Sequence, residues 1–76
     1  MEVKIALGRA IKARRSELGL SQEELANATS MSRSFVSGVE RGERQTSPTS
    51  LWRLSVTLKC RPSELWSRAE KLMDES

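Results

Sequence analysis

Apolar side chains recur along this chain at spacings of three and four and do not alternate over any long run, so the pattern predicts helices and no strands. A first helix is expected from about Val3 to Leu18, with Leu7, Ile11 and Leu18 near one stripe and Gly19 ending it. A second starts in "SQEELANAT", where Ser21 is an N-cap and Glu24, three residues on, completes a capping box. Leu25, Ala26 and Ala28 form its predicted inward face. The third begins at Ser32 and runs to about Glu40, with Val36 and Val39 inward and Gly42 closing it. Beyond the polar loop "RQTSPTS", a fourth helix starts near Pro48 and carries Leu51, Leu54, Val56 and Leu58. "CRPSEL" interrupts it, and a fifth runs from about Pro62 to Met73, proline being well tolerated in a first turn. The tail "DES" is expected to fray.

The second and third helices are short and separated by "TSM", the dimensions of a helix-turn-helix. Within "SRSFVSGVERG" two features look wasteful. Gly38 costs roughly 1 kcal/mol against alanine in a helix interior, and Phe35 lies off the apolar stripe. A surface that presses against another molecule accounts for both.

The 76 residues fit one domain, residues 1–76, of a size that buries only about 60% of its unfolded surface. With no His and one Cys, Cys60, the chain lacks the four ligands of a structural zinc and cannot close an internal disulfide. Association of subunits is the support that remains. Cys60 reads as a small buried hydrophobe. The net charge is +3, with four lysines against nine arginines, compatible with a polyanionic partner. Without His, Tyr or a Gly-rich phosphate loop, the usual bases and nucleophile pairs are missing, and Glu23 and Glu24 point about 100° apart on a helix. No enzyme activity, metal or cofactor is expected. No apolar run approaches the length of a membrane span, and the start lacks a secretory signal, so the expected location is cytoplasmic.

Taken together, "GLSQEELA", "SRSFVSGVERGER", "SLWRLSVTL" and "RPSELW" resemble the helix-turn-helix class of phage repressors and Cro proteins over about residues 5–67. The wording of the third helix is similar to the small controller proteins of restriction–modification genes. The resemblance implies an all-α, compact, five-helix bundle like that of lambda repressor. It implies a homodimer on a near-palindromic double-stranded DNA operator, with the third helix in the major groove and two such helices roughly 34 Å apart. RNA polymerase is a further partner it allows. The alternatives are a phage-type repressor, or an antitoxin or other protein-interaction module.

The same resemblance assigns roles. Gln22 and Ser32 stand at helix starts that face phosphate or a base. Arg33, Ser34 and Ser37 fall where base edges are read, and Arg33 could grip guanine O6 and N7. Phe35 either packs on a thymine methyl or folds back on the scaffold. Gly38, where some relatives carry a longer reading side chain, would let the backbone approach the DNA. Arg41, Arg44, Gln45, Thr46 and Ser47 suit flanking phosphates, although Thr46 and Ser47 could equally shape the turn. Arg15 and Glu40 match a pair that joins the first and third helices. Arg14 stands where the class is usually apolar, and Leu18 is expected to supply that contact. Trp52 reads as core or half-core. The fifth helix, about residues 62–73, carries more apolar surface than one stripe needs, and Trp66, Ala69 and Met73 form a candidate dimer seam.

Overall fold

The computed structural model describes residues 1–75, which fold into five helices: α1 (Val3–Glu17), α2 (Gln22–Thr29), α3 (Arg33–Glu40), α4 (Pro48–Thr57) and α5 (Pro62–Glu75). The helix starts are written in side chains. Ser21, Ser32 and Ser47 each accept a hydrogen bond from the backbone N–H three residues on, and at α2 the Glu24 carboxylate returns the bond to Ser21 N–H. The C-terminal ends fold back through residues of positive φ: Gly19 after α1, Ser30 after α2, Gly42 after α3 and Lys59 after α4.

α1 is the centre of the bundle, packing along α5 and across α3, while α2 joins α3 to α4. Two neighbours require a broad buried face, and Ala6, Leu7, Ala10 and Ile11 provide it. Where α1 crosses α3 the backbones nearly touch. A Cβ on Gly8 would collide with the Val39 carbonyl oxygen and stand 2.9 Å from that of Glu40, so only glycine fits this crossing.

Two inward faces differ from expectation for one physical reason. In α2 the buried third residue is Thr29, and Ala28 is exposed. In α4 the buried stripe is Leu51, Leu54, Ser55 and Leu58, and Val56 is 61% exposed. Both hydroxyls satisfy themselves within their own helix: Thr29 Oγ1 donates to the Leu25 and Ala26 carbonyls (2.8 and 3.1 Å), and Ser55 Oγ to the Trp52 carbonyl (2.7 Å). A hydroxyl bonded back this way can be buried without an orphaned polar group. Trp52, one turn before Val56, is 62% exposed rather than core.

Arg14 does more than vacate an apolar position. Its Nε donates to the Leu58 carbonyl (2.9 Å) and its Nη2 to the Lys59 carbonyl (3.3 Å), capping the C-terminus of α4 from α1. Leu18 is half-buried against the core, as expected. Glu17 pairs with Arg68 of α5 (3.0 Å) and with Arg14 (3.3 Å), and these two guanidinium groups hold its carboxyl below the usual range. Cys60 is half-buried against the core, and burial pushes its thiol up. Asp74 and Glu75 continue α5 where fraying was expected; Ser76 lies outside the described residues.

Candidate nucleic-acid interface

The helix that carries the candidate reading residues is fixed from below. Val36 and Val39 are buried, and beside them Glu40 is the one buried acidic residue among those described. Arg15 of α1 meets its carboxylate in a two-pronged pair, Nε to Oε2 at 2.6 Å and Nη2 to Oε1 at 2.9 Å. The third Arg15 nitrogen, Nη1, donates to the Leu20 carbonyl at 2.7 Å, ahead of α2. The Glu40 hydrogen bond pushes Arg15 up against the opposing effect of burial. Gln22 Nε2 adds a third donor to Glu40 at 2.9 Å, so one carboxylate ties together the ends of α1, α2 and α3. Gln22 therefore has its amide N–H engaged, leaving its carbonyl for an outside partner.

A rotation of about 100° per residue turns Ser34, Ser37 and Gly38 away from that buried side, while Arg33, seven residues before Glu40 and on nearly the same bearing, reaches solvent from the first turn of the helix. Arg33 and Ser34 are exposed, and their side chains make no hydrogen bond or ion pair among the described residues. Ser37 and Arg41 are occupied with each other: the Ser37 hydroxyl accepts from Arg41 Nη1, and Arg41 Nη2 pairs with Glu43 at 3.0 Å. That pair is more than half exposed on both sides and contributes little. It raises Arg41 and lowers Glu43. Ser32 Oγ accepts from Phe35 N–H and Ser47 Oγ from Ser50 N–H, so both hydroxyls serve first as caps. Phe35 is half-buried and packs on the core, the scaffold reading of its two. Arg44 and Gln45 are exposed and Thr46 half-exposed on the loop after α3, and the Arg44 guanidinium has no partner among the described residues. Gly38 is not a bare strip of backbone. It is buried, and the stem of Arg44 lies over it.

The candidate seam also changes. Trp66 is 39% exposed and Met73 half-buried, but Ala69 is fully buried within the single chain and offers no surface to a second copy. What joins Trp66 instead is Trp52. Both line an apolar groove of about 600 Å³, walled by Val3 and Leu7 of α1, Pro48 and Leu51 of α4, and Pro62 of α5, and edged by the loop residues 44–47 that follow α3. The sequence contained this signal. Once Leu51, Leu54, Ser55 and Leu58 are taken as one stripe, residues 52 and 56 must face the other way.

Residues 11–65 match the family profile HTH_3, a helix-turn-helix family. The chain is 37% identical over 71 residues to the control protein C.MunI of a Mycoplasma species, covering 92% of this chain and 96% of that one. It superposes on the crystal structure of the clp gene regulator ClgR from Corynebacterium glutamicum with a TM-score of 0.95 and 27% identity, covering 97% of this chain and 79% of that one. It superposes on the restriction–modification controller protein C.Esp1396I, solved as a tetramer with its natural 35 base-pair operator, with a TM-score of 0.82 and 27% identity over 93% of both chains.

Proposed function

This chain belongs to the HTH_3 helix-turn-helix family, and from that premise we propose that it is a sequence-specific, dimeric DNA-binding regulator of transcription, of the kind that controls restriction–modification genes. The observation that carries the reading is the two-sidedness of α3. Its inner side is fastened by Val36, Val39 and the Arg15–Glu40–Gln22 cluster, while Arg33 and Ser34 are exposed with no side-chain partner among the described residues. Arg33 would read a guanine edge with Ser34 beside it, and Arg44, Gln45 and Thr46 would hold the flanking backbone. The caps Ser32 and Ser47 would present helix-start N–H groups to phosphate, with the Gln22 carbonyl, Ser37 and Arg41 at the margins of the contact.

A second copy would dock through the groove shared by Trp52 and Trp66, setting the two reading helices about one duplex turn apart. The whole of residues 1–76 would act as one such domain, in the compartment that holds its operator, without catalysis. The controller subclass draws its support from C.MunI, whose identity spans nearly the whole of both chains. Repression or activation would follow from operator position relative to the promoter, and a polymerase contact would come from a surface other than α3.

Selection from a pool of randomised duplexes tests this reading. The expected product is a near-palindrome with half-sites centred 10–10.5 base pairs apart, or a multiple of that. Recovery of unenriched sequence at every round would reject it.

A further inference from the structure

Gly38 stands on the outer side of α3, one turn after Ser34, yet it is buried. The nearest cover is one side chain. The three heavy atoms nearest to where a Cβ would sit are Cγ, Cβ and Cδ of Arg44, at 2.7, 3.6 and 3.8 Å. The first of these is closer than two carbons can approach, so the Arg44 stem occupies the room that any other residue at 38 would need. The loop backbone cannot simply back away, so the stem can make room only by changing rotamer. The Gly38 carbonyl accepts the N–H groups of both Glu43 (2.9 Å) and Arg44 (3.2 Å), tethering the loop backbone to the same residue that the stem covers.

From this arrangement we propose that Gly38 is a positioning residue for DNA binding: its missing side chain is the seat of Arg44, and the loop thereby lends the reading helix an arginine at position 38. The proposal rests on the regulator reading above and deepens it. Arg44 is the contacting group, and its guanidinium, unpartnered among the described residues, goes to a DNA phosphate. Seating the aliphatic stem in advance removes part of the rotamer freedom that an arginine loses on binding. The glycine at 38 thus sacrifices helix propensity in exchange for a held arginine, and its oddity in a short helix has a cause inside the chain.

Four proteins test the idea: wild type, Gly38→Ala, Arg44→Ala and the double variant. Each is titrated with one duplex recovered from the selection, across a series of salt concentrations. Arg44→Ala should weaken binding on the order of tenfold, the loss of a hydrogen bond to a charged group, and lower the salt slope by about one per subunit. Gly38→Ala should reproduce most of both effects, and the double variant should bind no worse than Arg44→Ala alone. Since the nearest atoms to the new methyl all belong to the flexible Arg44 side chain, Gly38→Ala should remain folded, with a circular dichroism melt no lower than wild type. In the free protein, nuclear Overhauser contacts between Gly38 Hα and Arg44 Hγ should be present and should reorganise in Gly38→Ala.

The proposal is overturned by a Gly38→Ala protein that binds and responds to salt as wild type does, by full additivity with Arg44→Ala, or by absence of those contacts in wild type. In those cases a wild type that still selects its duplex leaves the regulator reading intact. A wild type with no preferred duplex overturns both.

Discussion

The carboxylate of Glu40 is the point at which the reading helix is most exposed to a single change. Glu40→Ala removes three hydrogen bonds at once, two from Arg15 and one from Gln22, and leaves the Arg15 guanidinium with only the Leu20 carbonyl. The site is nearly closed to water: the side chains of Arg15 and Glu40 are 12% and 2% exposed. Removing one partner of such a pair costs about 3–5 kcal/mol, because the other is left as an uncompensated buried charge. The slight exposure of Arg15 lets water in and favours the lower end, about 3 kcal/mol. A chain of this length has a total stability of about 4–11 kcal/mol, so the variant should lose between about a quarter and three quarters of it. Urea titration followed by circular dichroism, at one fixed protein concentration because dimerisation adds to stability, measures the loss as a lower midpoint at unchanged slope. The companion Arg15→Met alone should also be costly, while Arg15→Met with Glu40→Ala should recover much of the loss, giving a coupling of at least about 2 kcal/mol. A Glu40→Ala loss under about 1 kcal/mol, or an additive double variant, would refute the claim that this pair fixes α3.

Three further outcomes are expected. Gly8→Ala should lower the melting temperature despite the better helix propensity of alanine, by about 1–3 kcal/mol of overpacking, because the obstruction is the Val39 and Glu40 backbone rather than a flexible side chain; an unchanged or higher melt would contradict the tight α1–α3 crossing. Trp52→Ala and Trp66→Ala should each raise the monomer fraction in sedimentation equilibrium, with dimer dissociation strengthened by about 30-fold or more if these rings are the anchors; an unchanged dimer would remove the groove from the interface. Glu17, Glu24 and Glu43 are all held below the ordinary carboxylate range, by Arg68 and Arg14, by the Ser21 N–H, and by Arg41. Carboxylates depressed in the folded state bind fewer protons there than in the unfolded chain, so their contribution is complete above about pH 4.3 and is lost as pH falls below it. Unfolding midpoints should therefore be level from neutral pH to about pH 5 and decline below, and a decline already under way at pH 6 would point to other groups.

Much of the scaffold was readable from residues alone because its signals are local. Ser21 with Glu24, Ser32, and Pro48 after Ser47 mark helix starts through bonds spanning three residues, and all of them lie where the spacing puts them. The misplaced faces share one cause, which is reading polarity from residue type. Thr29 and Ser55 are polar in composition but spend their hydroxyls on their own helices, so they pack as small apolar residues, and their apolar neighbours Ala28 and Val56 turn outward. Trp52 follows the same error. Arg14 and Gly38 were beyond local reading for another reason: their partners are 44 and 6 residues away, the first reaching the end of α4 and the second covered by a loop side chain. Ala69 of the candidate seam lies on the buried side of α5, where the packing of α5 on α1 leaves no room for a second copy.

The docking of the outer side of α3 onto base edges is tested most directly by Arg33→Ala, measured as the ratio of affinity for the selected duplex to affinity for random duplex at one salt concentration. The Arg33 side chain has no partner among the described residues, so its removal should leave the fold untouched. A base-reading arginine contributes about 1–3 kcal/mol of discrimination at each half-site, and with both half-sites affected the ratio should fall by about 30-fold or more. An equal loss on both duplexes, or none on either, would contradict the account.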